Sequence, residues 1–328
     1  MNKKIIVVTG GAGYIGSCTA ALIKQKGYEP IIFDNFSTSR RPSHFMDSTF
    51  EVDLTQFKEV ESLFNKLPPV HAIFHFAAKA LVPESTEKIW DYFQNNINAT
   101  LNMAECATQF AIPHFIHSST CAVYGNSESL PISESAPLRP ETPYGQSKLI
   151  SENILEQFAR WKGLKVLNLR YFNPAGGIPE LGLGELHQPE THLIPNLVKH
   201  FSQNSLFEVY GNDYPTKDGT CIRDFIHIRD LAMAHLLGLN FLESQSKPTF
   251  ETLNIGTGQG ISVGQAIEAT KKVLGTEGNV EFRSRRAGDP PHLVADTAKM
   301  KHILQWTPEF NLDRMIGDHW KFIRAQVN

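Results

Sequence analysis

Cysteine is scarce in this chain: Cys18, Cys106, Cys121 and Cys221 are the only four among 328 residues. They are widely spaced and form no C-x-x-C. That argues against a disulfide framework or a thiolate metal site and predicts free thiols in a reducing cytoplasm. A surplus of either charge is missing as well. The formal net charge is −3 with both signs scattered, so no electrostatic footprint for nucleic acid or an anionic membrane is expected. Long hydrophobic runs are absent, and no stretch approaches the length of a membrane-spanning helix. The apolar run after Lys3-Lys4 is too short for a secretory leader and leads straight into a glycine turn. Without secretion, the Asn-x-Ser/Thr sequons at Asn35 and Asn98 carry no meaning. H-E-x-x-H, clustered Cys/His and G-x-S-x-G are also missing. His71 and His75 are four apart but fall on a predicted strand, so no metal is expected.

What is present is a strand, a glycine turn and a helix in immediate succession. Ile5-Ile6-Val7-Val8-Thr9 runs into Gly10-Gly11-Ala12-Gly13-Tyr14-Ile15-Gly16. A buried strand delivers the backbone to a tight turn that opens on the positive end of a helix, where a pyrophosphate binds. Gly11 and Gly13 suit the turn and the close approach of phosphate, and Gly16 suits helix–strand packing. A second apolar run, Ile31–Phe33, ends in Asp34, placed for a ribose 2′-hydroxyl. Its charge would repel a 2′-phosphate, which favours NAD over NADP. Arg40 and Arg41 lie close enough in sequence to bear on that choice.

The hydrophobic fraction of 41% and charged fraction of 20% are those of a globular protein. The length suits one large domain or two smaller ones. Strands are predicted at Ile5–Val8, Ile31–Phe33, Ala72–Phe76, Phe115–Ile116 and Val166–Leu169. Helices are predicted around Tyr14–Lys26, Thr55–Leu67, Tyr92–Phe110 and Gln146–Trp161. This alternation predicts an α/β fold, a doubly wound parallel sheet of Rossmann type. Proline and glycine crowd Pro174–Pro189, which reads as loop. Phe225–Ile228 and Leu253–Ile255 read as returns to the main sheet. The expected division is therefore 1–173 plus about 223–258 for the dinucleotide domain. A smaller, discontinuous lobe of 174–222 plus 259–328 remains, with a cleft at the C-terminal edge of the sheet.

Tyr144 and Lys148 are four apart on a predicted helix and share a face. An ammonium beside a phenol lowers the tyrosine pKa and would make it a base near neutral pH. The same spacing also describes an ordinary exposed tyrosine one turn from a lysine. Ser118-Ser119-Thr120 follows the strand at Phe115–Ile116. Hydroxyls there can sit beside the cofactor and share a proton with a substrate hydroxyl, or simply form a serine-rich turn.

Three segments together resemble the extended short-chain dehydrogenase/reductase family: Thr9–Gly16, Tyr144-Gly145-Gln146-Ser147-Lys148, and Arg170-Tyr171-Phe172-Asn173. Gly211-Asn212-Asp213-Tyr214-Pro215-Thr216, Asp218-Gly219-Thr220, Arg223-Asp224-Phe225-Ile226-His227 and Arg285-Arg286-Ala287-Gly288-Asp289-Pro290 resemble its UDP-hexose 4-epimerase branch. The resemblance covers nearly the whole chain. It implies retained NAD and interconversion of UDP-glucose and UDP-galactose through a transient 4-keto sugar. It also implies Tyr144 as base, Lys148 on the nicotinamide ribose and Thr120 bridging the sugar hydroxyl. Gly10, Gly13, Tyr14, Ile15, Gly16, Asp34, Asn35, Asp53, Leu54, Phe76, Ala77, Ala78, Asn95 and Phe172 would join Tyr144 and Lys148 around NAD. Asn173, His192, Leu193, Tyr210, Arg223, Arg286, Asp289 and Leu293 would hold the UDP-sugar with Thr120. A homodimer through Tyr92–Phe110 and Gln146–Trp161 is implied too, since both helices carry apolar residues beyond one face.

Departures exist. Ala80 stands where the family often has lysine, with Lys79 one residue early. His192 stands where some relatives have asparagine, and Leu293 where relatives differ in bulk. The preferred sugar stays open among UDP-hexoses, N-acetylhexosamines, pentoses and uronates. A 4,6-dehydratase would carry Asp-Glu after the threonine, and a decarboxylase would keep the glutamate; Cys121 and Ala122 stand there instead. A non-catalytic NAD-binding regulator would need a broken catalytic set.

Overall fold

A computed structural model describes residues 3–39, 43–127, 129–286 and 289–327. Arg40, Arg41, Ala287 and Gly288, named above, lie outside the described residues. In chain order the first elements are β1 (Ile5–Thr9), α1 (Tyr14–Gln25), β2 (Glu29–Asp34), β3 (Thr49–Glu51), α2 (Phe57–Phe64), β4 (Val70–His75), α3 (Val82–Glu87), α4 (Ile89–Gln109), β5 (His114–Thr120), α5 (Pro143–Lys162) and β6 (Lys165–Tyr171). There follow β7 (Asn173–Ala175), β8 (Gly177–Ile178), β9 (Leu183–Gly184), α6 (Leu193–Ser202), β10 (Leu206–Tyr210), β11 (Ile222–His227), α7 (Ile228–Ser244) and β12 (Thr249–Ile255). The last elements are β13 (Gly260–Ser262), α8 (Val263–Leu274), β14 (Asn279–Arg283), β15 (His292–Leu293), α9 (Ala298–Leu304) and α10 (Leu312–Val327).

The elements divide into two compact units. The first comprises Met1–Gly125, Pro137–Tyr171 and Ala232–Leu253; the second comprises Asn126–Ala136, Phe172–Leu231 and Asn254–Asn328. A seven-stranded sheet has the order β12-β6-β5-β4-β1-β2-β3. Every pairing from β3 to β6 is parallel, as short apolar runs separated by helices require. Val7, Phe33, Ile73, Phe115 and Val166 are fully buried on these strands and pack with Phe64, Met103 and Leu155 from the helices. Each such side chain contributes roughly 1.5–3 kcal/mol of burial.

Local signals set the boundaries of α5. The Thr142 hydroxyl accepts from Gly145 N, Pro143 occupies the first turn, Arg160 and Lys162 sit in the last, and Gly163 closes it at φ 80°. The predicted start at Gln146 therefore moves back to Pro143, and Tyr144 falls inside the first turn. Ser118–Thr120 likewise belong to β5 itself.

The second unit holds a sheet of β13, β11 and β15, with β7 also paired to β11, and a separate parallel pair of β10 and β14. Phe225 is thus not part of the main sheet, contrary to the expected return of Phe225–Ile228. The cause is Asp224. This fully buried acid in mid-strand accepts from Thr257 N and Oγ1, Gly258 N and Ala295 N at 2.7–3.2 Å. An apolar parallel sheet offers a buried carboxylate no such donors, and leaving it unpaired would be costly. Leu253–Ile255, by contrast, does lie on a main-sheet strand, β12. Leu197, Phe201, Phe207, Val209 and Ile267 form one core of this unit, and Ile194, Val198, Phe225, Met315 and Ile316 another.

Candidate functional site

The glycine turn of the first unit has the shape that a dinucleotide requires. Gly10 has φ +64° and its N–H donates to Phe33 O at 2.8 Å. A Cβ there would sit 2.7 Å from Ala77 N, and a Cβ on Gly16 would sit 2.2 Å from Gly10 O. Gly13 is different: the nearest atom to its Cβ would be Gly10 O at 3.3 Å. Gly13 is the N-cap of α1, no side chain caps it, and the first turn, which holds Tyr14, Ile15 and Gly16, carries no acid. The positive helix end is therefore kept for an external anion.

Asp34 is buried at the end of β2. Its Oδ2 accepts from Ala12 N at 2.9 Å and its Oδ1 from Phe36 N at 2.9 Å. Asn35 beside it is exposed. Asp53 turns back on Thr55 N and Oγ1, and Leu54 O accepts from Asn102 Nδ2. Phe76, Ala77 and Ala78 follow β4 directly. Phe76 N donates to Thr9 O and Ala77 N to Thr9 Oγ1. Asn95 Nδ2 donates to Asn96 Oδ1, and the same oxygen accepts from Lys79 N. Lys79 Nζ lies 3.9 Å from Asp91, and Ala80 is exposed.

The catalytic candidates meet in this unit. The Thr120 hydroxyl hydrogen-bonds the phenol of half-buried Tyr144, and Thr120 Oγ1 accepts from Ala122 N at 3.1 Å. One turn along α5, buried Lys148 donates from Nζ to Ser118 O at 2.8 Å. Burial pushes the phenol up to about 12, against the pull of the Thr120 bond. Burial also pushes the Lys148 amine down to about 7, against the Glu152 charge. The expected lowering of the tyrosine by the lysine is therefore not found. Desolvation dominates both groups, and the amine is committed to a carbonyl. Buried His75 is likewise pushed down to about 3, bridging Thr9 Oγ1 and Thr100 Oγ1 at 2.7 and 3.1 Å. It is a structural link and not half of a metal pair with His71, which bonds Glu243.

The second unit gathers the remaining candidates in smaller groups. Asn173 Nδ2 donates to Asp224 O at 3.0 Å. Phe172, expected at the cofactor, is buried with its N–H on Ile255 O. Arg223 pairs with Asp289 and donates to Pro290 O at 2.9 Å, while Leu293 is its partner in the β11–β15 register. Arg286 stacks over Tyr210 at 4.0 Å, and Arg285 over Tyr214 at 4.4 Å. His192 is the N-cap of α6, which Leu193 opens. Its ring is turned onto Glu185, 2.5 Å away. Burial opposes the proton on His192, but the Glu185 charge outweighs it and raises the ring to about 10.

Residues 6–256 match the NAD dependent epimerase/dehydratase family. The chain belongs to that family. It is 39% identical to a UDP-glucose 4-epimerase of Streptococcus mutans over 320 residues, covering 96% of this chain and 95% of that protein. A crystal structure of UDP-glucose 4-epimerase from Brucella ovis in complex with NAD is 38% identical, with a TM-score of 0.90 over 97% of this chain and 98% of that one. The UDP-Glc/GlcNAc 4-epimerase of Campylobacter jejuni is 37% identical, with a TM-score of 0.84 over 99% and 100%.

One network in this family member went unread in the sequence. Arg170 donates to Glu152 through Nε and Nη2 at 3.0 and 2.6 Å, and to Tyr124 OH at 2.9 Å. Ser119 Oγ donates to the same carboxylate at 2.5 Å. The bidentate pair ties α5 to β6, and the Ser119 bond ties α5 to the end of β5, which together fix Lys148 and Tyr144 relative to Thr120. The available signal was Arg170 itself, a charge inside an apolar strand that demands a buried partner.

Proposed function

We propose that this chain is a UDP-glucose 4-epimerase that interconverts UDP-glucose and UDP-galactose with tightly held NAD. The observation that carries the reading is the joined set of Thr120, Tyr144 and Lys148, followed directly by Cys121 and Ala122 in place of acids. NAD, when bound, supplies hydride acceptance and return at C4 of the sugar. The turn Gly10–Gly16 and the N-terminal end of α1 would hold its pyrophosphate, and Asp34 would accept from the adenosine ribose. Asp53 and Leu54 would flank the adenine, and Phe76, Ala77, Ala78 and Asn95 would line the path. Tyr144 takes the proton of the 4-hydroxyl through Thr120 and gives it back. Lys148 would turn from Ser118 O to the nicotinamide ribose and bring positive charge to the phenol. Asn173, Leu193, Tyr210, Arg223, Arg286 and Asp289 hold the UDP moiety, and Leu293 bounds the sugar. The first unit is the dinucleotide domain and the second the sugar-nucleotide lobe. Buried cysteines without disulfides suit the cytoplasm, and α4 and α5 form the face of a homodimer.

The test is incubation of the purified protein with UDP-glucose, UDP-N-acetylglucosamine, UDP-xylose and UDP-glucuronate, each without added oxidant. UDP-galactose should form from UDP-glucose with no net NADH. A 4-keto-6-deoxy product, or no turnover of any of the four, would overturn the assignment.

A further inference from the structure

The segment between β9 and α6 carries Glu185, His187, Glu190 and His192. One nitrogen or carboxylate oxygen from each lies within 4.8 Å of all the others. His187 Nδ1 and His192 Nδ1 approach the same oxygen, Glu185 Oε1, at 2.8 and 2.5 Å. His192 Nδ1 also lies 3.4 Å from Glu190 Oε1. Glu185 is only 2% exposed, and its second oxygen, Oε2, is buried with no hydrogen-bond partner. The buried ring of His319, near enough to feel the charges of Glu185 and Glu190, also leaves Nδ1 without a partner.

An ion pair with one ring and a hydrogen bond from the Nδ1–H of the other account for Oε1. Neither satisfies Oε2, and a buried acceptor without a donor is a standing cost. A doubly charged cation held by Glu185 resolves this. Two carboxylates balance its charge, two neutral imidazoles complete a tetrahedral N₂O₂ set, and Oε2 gains a partner.

We propose that Glu185, His187, Glu190 and His192 form a site for a divalent transition-metal ion of the zinc class. Zinc bonds to imidazole nitrogen and carboxylate oxygen are about 2.0–2.2 Å long, so ligand atoms settle on the order of 3–4 Å apart. The hydrogen-bonded pairs open slightly and the wider pairs close. Imidazole donors select zinc, cobalt or nickel over magnesium or calcium. Bound metal ties both ends of the 185–192 segment to one point at the entrance of α6. A search for Cys/His spacing passes over this set because half of its ligands are glutamates.

The full-length protein with its retained cofactor, stripped by chelator and desalted, is titrated with zinc chloride by calorimetry and against a chromophoric chelator. One equivalent per chain is expected. His187→Ala and Glu185→Gln should each weaken binding by at least roughly 10–100-fold, the loss that even hydrogen-bond partners of metal ligands produce. Half-buried His187 gives the cleaner variant, and its circular dichroism should match wild type. Zinc should slow proteolytic cleavage within 185–192 in wild type but not in His187→Ala. Cobalt should give the visible bands of a tetrahedral nitrogen–oxygen site. The proposal is overturned by the lack of a stoichiometric equivalent, by binding that ignores His187→Ala, or by sulfur-to-cobalt absorption, which would place the ion on cysteine.

Discussion

Tyr144 carries its phenol at about 12 and Lys148 its amine at about 7, each driven toward its neutral form by burial. A neutral phenol is a poor base at pH 7, so the proposed role of Tyr144 requires positive charge assembled beside it. Tyr144→Phe should lower kcat by roughly 10²–10⁴-fold, the usual weight of a positioned acid–base group, with NAD still bound. Near-wild-type turnover would remove Tyr144 from the mechanism. His75 supports a second prediction. Its folded pKa of about 3 lies below the ordinary 6.5, so the unfolded chain binds the extra proton. The contribution is complete above pH 6.5 and is lost as pH falls from there toward 3. Unfolding free energy should drop by about 1.4 kcal/mol per pH unit for this one group. Urea unfolding at pH 7 and pH 5 should show a shallower drop in His75→Asn; an unchanged drop would show that His75 is not the source. The positions of Asp34 and Thr120 at strand ends and of Tyr144 one turn before Lys148 were legible in sequence, because each stands at a fixed offset from a strand end or helix start. Glu152 and the His192–Glu185 contact were not, because a buried polar partner is chosen by tertiary approach and leaves no spacing rule behind.

The turn between β1 and α1 separates two kinds of glycine. At Gly16 a methyl group would sit 2.2 Å from Gly10 O, whereas at Gly13 the nearest atom would be 3.3 Å away. Gly16→Ala should therefore destabilise the fold, by about 1–3 kcal/mol as overpacking does, and lower Tm. Gly13→Ala should keep Tm within a degree or two in the cofactor-free protein yet weaken NAD binding, because Gly13 caps the helix end proposed to receive the pyrophosphate. Thermal unfolding and an NAD titration on both variants decide this; equal loss of Tm would contradict the distinction. The buried strands were legible at this scale, since runs such as Ile5–Val8 have one use in an α/β chain. Sheet membership was not. β11 reads as a main-sheet strand by composition, yet Asp224 in its middle commits it to β7, β13 and β15. The Pro174–Pro189 stretch hides the two-residue strands β8 and β9, too short for any periodicity to mark.

At the scale of the whole molecule, Ile89, Trp90 and Leu101 on α4 and Trp161 on α5 are large apolar side chains left 41–73% exposed. Exposed apolar side chains on these two helices support the proposed association face. Light scattering at micromolar concentration should give twice the 36.7 kDa chain mass, and Leu101→Glu should shift the protein toward one copy. A wild-type monomer would defeat the prediction. A separate consequence lies in the connectivity. The chain leaves one compact unit for the other after Gly125, Ala136, Tyr171, Leu231 and Leu253. A stop codon after Tyr171 would delete β12 and turn β6 into an open edge, inviting strand addition from other molecules. Neither unit can then be moved between proteins as a cassette. A chimera that exchanges the half built on β1–β6 must recombine three separate stretches of gene, and a single crossover anywhere in the coding sequence yields two broken halves.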